Sequence, residues 1–151
     1  MPPDNHTDVC ELEYTLAAFI RAFGLHRSEQ TPCGVNVGVS EAHTLTELAR
    51  TGGLTQSELV IFLNLEKSTV SRLLNGLEKR AWLERRPHAA DRRAHLLILT
   101  SEGNKKAEQI AKARRARFEA LTRALPETER GAVIAALSTL VEAAHETVPV
   151  P

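Results

Sequence analysis

The sequence predicts a mainly α-helical domain with one small β-hairpin near its middle. Three observations carry that prediction. Ala, Leu, Glu, Lys and Arg are abundant while aromatic residues make up only 4% of the chain, which favours helix over sheet. Apolar residues recur at helical spacing along most of the sequence, and only between Trp82 and Leu99 does the period change from 3.6 residues to 2. The length, 151 residues, suits one domain with a real core and is short for two. No run of 18 apolar residues offers a membrane span. The opening Met-Pro-Pro-Asp-Asn-His has neither the basic start nor the apolar core of a secretory signal, so the expected compartment is the cytoplasm.

In order, residues 8 to about 27 form a first amphipathic helix, with Leu12, Leu16, Phe19, Ile20 and Phe23 on one face. Residues 28–39 hold Pro32, Gly34 and Gly38 and read as a loop. Ser40 is placed to cap a second helix through about Arg50, with Leu45, Leu48 and Ala49 inward, and Gly52-Gly53 ends it. Thr55-Gln56-Ser57-Glu58 has the form of a capping box, opening a short helix that buries Leu59, Phe62 and Leu63 and stops near Asn64.

After a turn at Leu65, Val70, Leu73, Leu74 and Leu77 fall at i, i+3, i+4 and i+7 and share one buried stripe of the next helix. Ser68, Arg72, Asn75 and Lys79 project from the opposite side. All four are hydrogen-bond donors, two are cationic, and none is acidic. Such a face suits the major groove, where Ser and Asn meet base edges and Arg forks onto guanine. With Thr69 and Ser71 they are the candidate DNA contacts. Two short helices joined this tightly make a helix-turn-helix whose second helix carries the reading face.

Residues 82–86 and 95–99 alternate like strands around a polar tip from Pro87 to Arg93, so a hairpin follows the helix pair as a wing. Thr100-Ser101-Glu102 opens a long helix from about Glu102 to Ala124, with Ala107, Ile110, Ala111, Phe118 and Leu121 on its apolar side. Pro126 is placed as the first residue of a last helix to about His145, carrying Val133, Leu137, Leu140, Val141 and Ala144 inward. The whole chain, 1–151, is thus one domain. Residues 40–100 form its winged helix-turn-helix, and helices 8–27 and 102–146 lack a covering layer within the chain. A second copy would cover them, which predicts a two-fold homodimer.

The net charge is zero overall but unevenly spread. Residues 54–100 carry eight Lys or Arg against five acids, whereas the first 53 carry three against seven. A basic middle beside an acidic start can present one surface to phosphates.

In order and spacing, Leu54-Thr55-Gln56-Ser57-Glu58-Leu59, Leu65 through Leu74, Leu77-Glu78-Lys79-Arg80, Asp91-Arg92-Arg93 and Leu99-Thr100-Ser101-Glu102-Gly103 resemble the MarR (multiple antibiotic resistance regulator) family of winged-helix transcription factors. The resemblance implies a triangular homodimer that binds palindromic operators in double-stranded DNA. It also implies that Arg93, beside Arg92, enters the minor groove from the wing tip while Asp91 orients it. Two positions depart from the family pattern. Glu66 stands at the recognition-helix N-cap in place of Ser or Thr, and Ala81 stands where Gly is usual after that helix, so a different exit from it is expected.

Many relatives release DNA when a small anionic molecule enters a cleft beside the dimer helices, so the function expected is a repressor released by an effector. Arg21, Arg50 and His43 can reach such a cleft, but solvated or core roles suffice for each and no pocket is predicted. A metal-responsive alternative rests on Cys33, Glu41 and His43, since thiolate and imidazole suit zinc, yet the helix after the wing supplies no His. A redox-responsive alternative rests on Cys10, one helical turn before Tyr14. No cofactor motif and no enzyme motif of the G-x-S-x-G, G-x-x-x-x-G-K, G-x-G-x-x-G or H-E-x-x-H kind occurs. A winged-helix protein-interaction module that binds no DNA remains the other class.

Overall fold

A computed structural model describes residues 5–27, 29–88 and 94–147. Helix α1 (Asn5–Phe23) leads through a loop to α2 (Val39–Thr51), a two-residue strand β1 (Leu54–Thr55), α3 (Gln56–Leu63) and α4 (Lys67–Lys79). Strands β2 (Leu83–Pro87) and β3 (His95–Leu99) form the hairpin. Helix α5 (Ser101–Ala124), a 3-10 turn (Glu127–Glu129) and α6 (Arg130–Thr147) complete the order. The mainly helical architecture with a small β wing is as the periodicity predicts.

The core gathers around the helix-turn-helix. Leu45 and Leu48 of α2, Leu59 of α3, Val70, Leu74 and Leu77 of α4, Leu83 and Leu97 of the hairpin, and Ala107 and Ile110 of α5 are all buried. Each fully buried Leu contributes about 1.5–3 kcal/mol relative to exposure. Val35 and Val37 join them from the loop before α2. That loop is tied by Thr31, whose hydroxyl donates to the Val35 carbonyl and accepts from the Val35 amide, both at 3.1 Å.

Several boundaries differ from the spacing, each for a local reason. Helix α1 stops four residues early, because Gly24 takes a left-handed φ of 89° and the Leu25 amide closes onto the Ile20 carbonyl. Gly38, not Ser40, caps α2: the Glu41 carboxylate accepts from the Gly38 amide at 3.0 Å, which starts the helix a residue before Ser40. Glycine has no side chain to return the bond, so only half of a capping box is present. Ala49 faces solvent rather than the core, as do Phe62 of α3 and Ala111 of α5. Pro126 precedes the 3-10 turn, and α6 begins four residues after it.

Strand β1 had no periodic signature, being only two residues long. It pairs antiparallel with β3, with Leu54 opposite Leu97, to give a sheet in the order β1-β3-β2. In the hairpin Leu83 faces Leu99 and Arg85 faces Leu97. Directly opposed residues of an antiparallel pair share a face, and alternate residues of a strand do too. Arg85 therefore projects on the same side as buried Leu83 and Leu97, toward α3 and α4.

The predicted apolar faces of α1 and α6 stay uncovered. Leu12 is 53% exposed, Phe19 40%, Leu137 49% and Val141 54%, and no residue of α6 is buried. The second half of α5 continues the pattern, with Phe118 48% exposed. Among the described residues, no helix is long and apolar enough to cross a membrane.

Candidate nucleic-acid interface

Helix α3 is set by its N-terminus. The Thr55 hydroxyl accepts from the Glu58 amide at 3.3 Å, and the Glu58 carboxylate accepts from the Thr55 amide at 2.7 Å, so the predicted capping box is complete. The Thr55 amide bond, and then the Thr55 hydroxyl donating to the same carboxylate at 2.8 Å, hold the Glu58 carboxyl below its ordinary pKa. At the other end Asn64 takes φ 51°, its amide bonding the Ile61 carbonyl and the Leu65 amide the Val60 carbonyl. This paired closure turns the chain sharply into α4.

Helix α4 has the two faces its spacing predicts. Val70, Leu74 and Leu77 are fully buried and Leu73 is half-buried, while Ser68, Arg72, Asn75 and Lys79 are exposed. Thr69 and Ser71 lie between, half-buried. Arg72 donates to the Thr69 hydroxyl at 3.4 Å, so the candidate contacts share one surface. Glu66 makes no side-chain capping bond, as its identity suggests, and its carbonyl alone accepts the Thr69 and Val70 amides at 3.0 Å.

The exit of α4 is a knot of four elements. The Ala81 amide bonds the Glu78 carbonyl at 2.8 Å and the Trp82 amide the Leu77 carbonyl at 3.1 Å, the two bonds of a Schellman motif. Ala81 itself takes φ 57°. The different exit expected from Ala is thus not taken, and Ala occupies the left-handed position that suits Gly. Arg80, the C-cap, lies over the Trp82 ring at 4.5 Å and bonds Glu41 in the first turn of α2. The Thr100 hydroxyl donates to the Ala81 carbonyl at 2.6 Å and accepts from the Gly103 amide at 3.0 Å, so one side chain both ties the exit and caps α5.

Inward-facing Arg85 joins α4 to its neighbours. Its Nε donates to Glu78 at 3.0 Å, Nη2 reaches the Asn75 carboxamide oxygen at 3.5 Å, and Nη1 reaches the Gln56 carboxamide oxygen at 3.5 Å. Neither Arg85 nor Arg80 is among the DNA contacts that the spacing predicts, although Arg80 stands in the Leu77-Glu78-Lys79-Arg80 motif. A signal for Arg85 was present: a charged residue two positions after Leu83 on a strand falls on the buried face and must find partners there. On the outer face, Arg86 pairs with Glu84 at 2.6 Å. The hairpin continues to a His88 amide bond with the Ala94 carbonyl at 3.1 Å. The wing-tip candidates Asp91, Arg92 and Arg93 lie outside the described residues.

Of the sensor candidates, Cys33 and His43 line a half-open cavity of about 270 Å³ with Phe19, Phe23, Arg114, Arg117 and Phe118. Burial, and then the charge of Arg114, lower the His43 pKa, so its imidazole is neutral at neutral pH. Arg117 stacks over the Phe23 ring at 5.5 Å. Arg50 pairs with Glu47 of its own helix at 2.5 Å, and Arg21 is exposed, so neither joins this lining. Glu41 does not meet Cys33 and His43, because its carboxylate is taken by Arg80 and the Gly38 amide. Among the described residues no three His, Cys, Asp or Glu side chains assemble as a metal site. Exposed Cys10 lies 3.6 Å from His6 Nδ1, one turn back on α1.

A capped helix, a tight turn, an amphipathic second helix and a β-hairpin packed on it define a winged helix-turn-helix protein. Comparison with known proteins narrows the class. Residues 35–94 match the model of the MarR family. An uncharacterized HTH-type transcriptional regulator, YwoH of Bacillus subtilis strain 168, is 42% identical over 59 residues, covering 39% of this chain and 42% of that one. The crystal structure of Streptococcus pneumoniae FabT in complex with DNA superposes with a TM-score of 0.73 at 22% identity, covering 89% of this chain and 94% of that one. The S. aureus MepR–DNA complex gives a TM-score of 0.65 at 28% identity, covering 71% and 80%. Over residues 35–94 this chain is similar to the MarR family, and its fold is that of the winged-helix regulators it superposes on. Its match spans 42% of YwoH and 62% and 64% of two further curated relatives, which are likewise described as transcriptional regulators.

Proposed function

We propose that the protein is a transcriptional regulator that binds double-stranded DNA as a homodimer, α4 lying in the major groove. The exposed, acid-free face of α4, which presents Ser68, Arg72, Asn75 and Lys79 opposite the buried Val70, Leu74 and Leu77, carries this reading. Ser68, Thr69, Ser71, Arg72, Asn75 and Lys79 are its DNA contacts. Arg92 and Arg93, oriented by Asp91, add the wing contacts. The DNA complexes of FabT and MepR support the reading by their shared fold, and MepR also by sequence. The uncovered faces of α1, α5 and α6 support the dimer, since large exposed apolar patches mark association surfaces.

The regulator acts as a repressor that a small anion with an apolar body releases. The half-open cavity supports this part: three aromatic rings offer an apolar lining, and Arg114 and Arg117 offer cations to a carboxylate.

The test is fluorescence anisotropy with duplex DNA taken from the protein's own locus. Binding should weaken roughly a thousandfold or more between 50 and 200 mM salt. Arg72→Ala should cost about 1–3 kcal/mol, roughly five- to 150-fold in affinity. Binding indifferent to salt and to the joint loss of Arg72 and Arg93, or no binding at all, would favour a protein-interaction module instead.

A further inference from the structure

Asn75 is exposed on the reading face, yet its carboxamide is not free to turn. Arg85 of β2 reaches it, with Nη2 3.5 Å from the Asn75 oxygen. A guanidinium carries only donors, so the atom facing it must be the carboxamide oxygen. The amide nitrogen is then the end of the carboxamide that Arg85 does not engage. The same guanidinium holds the Gln56 oxygen at 3.5 Å, and its Nε is anchored 3.0 Å from Glu78. Arg85 stays in place because strand alternation puts it on the buried side of β2, opposite Leu97.

We infer that Arg85 is a positioning residue for base reading: by holding the Asn75 oxygen inward it makes Asn75 a donor-only reader that selects guanine. The inference rests on α4 being the reading helix. An unconstrained Asn presents both an oxygen and an amide nitrogen, and pairs bidentately with adenine N7 and N6. With the oxygen occupied, only N–H groups reach the groove. Against adenine they meet one acceptor beside the N6 donor, and against thymine one acceptor beside a methyl. Guanine N7 and O6 give two adjacent acceptors. The base pair under Asn75 is therefore G·C.

The experiment selects binding sequences from a randomised duplex library with the full-length wild type, Asn75→Ala, Arg85→Lys and Arg85→Met. Asn75→Ala identifies the position that Asn75 reads, as the one whose base preference it erases. That position should be G·C for the wild type. Lysine keeps the ion pair with Glu78 but cannot fork to Glu78 and Asn75 together. Arg85→Lys should thus lower the G·C to A·T ratio there by fivefold or more, leaving the other positions unchanged. Arg85→Met removes every donor and should do the same, provided that its circular dichroism matches the wild type; if it does not, Arg85→Lys decides alone. An A·T pair for the wild type at that position, or a ratio unmoved in Arg85→Lys, overturns the inference while DNA reading stands. So does an Asn75→Ala variant that changes no position. A wild type that enriches no sequence overturns the reading of α4 and this inference with it.

Discussion

At the residue scale, the clearest conflict between side chain and backbone is Ala81. Its φ of 57° costs an L-residue about 1–2 kcal/mol, and the two Schellman bonds with the Thr100 hydroxyl hold it there. Replacing it by Gly removes the Cβ penalty while adding freedom to the unfolded chain, for a net gain of about 0.5–1 kcal/mol. In urea titrations Ala81→Gly should raise the midpoint with an unchanged slope. A lower midpoint would show that the left-handed exit carries no strain. The family pattern pointed to this residue but not to the outcome. An Ala in that place says that strain is possible, whereas the tie to Thr100, nineteen residues on, is a contact that no local spacing displays.

Elements are legible where a side chain caps them and obscure where the backbone alone ends them. Helices α3 and α4 stood out because Thr55, Glu58 and the Val70-Leu77 stripe are side-chain signals. Strand β1 did not, since two residues have no period, and α6 starts after Pro126 by the length of a 3-10 turn that composition does not announce. The junction of the hairpin with α5 makes its own demand. At Gly103 a Cβ would overlap the carbonyl oxygen of Trp82, and Leu99 crowds the same space at 3.3 Å. That obstacle is backbone already bonded to the Thr100 amide, so it cannot swing aside. Gly103→Ala should therefore destabilise by more than the roughly 1–3 kcal/mol of ordinary overpacking, lowering the melting temperature by about 5 °C or more. A melting temperature equal to the wild type would mean that α5 slides away from Trp82 at no cost.

For the whole molecule, the described chain is an incomplete packing unit. Leu137 and Val141 of α6, Leu12 and Phe19 of α1 and Phe118 of α5 leave apolar surface in water that a second copy would cover. Sedimentation at micromolar concentration should find a dimer. The double variant Leu137→Glu, Val141→Glu should shift it to monomer and weaken DNA binding while leaving α4 untouched. A monomeric wild type that still bound an operator tightly would contradict the two-fold reading. This uncovered surface was legible, because an amphipathic helix without a partner shows as a stripe in the sequence. The cavity was not, since Phe19, Cys33, His43 and Phe118 belong to four segments whose meeting depends on the packing of α1 and α2 against α5. Arg85 lay between these cases, visible as an inward charge but silent about its three partners. The shortest element also has a consequence for inheritance. By pairing Leu54 with Leu97, β1 makes the stretch that holds α3, α4 and β2 begin and end at the same place, one strand spacing of about 5 Å apart. A stretch whose ends already touch can be exchanged for another of the same shape without moving the helices on either side. Such an exchange would leave α1, α2, α5 and the cavity they line in place.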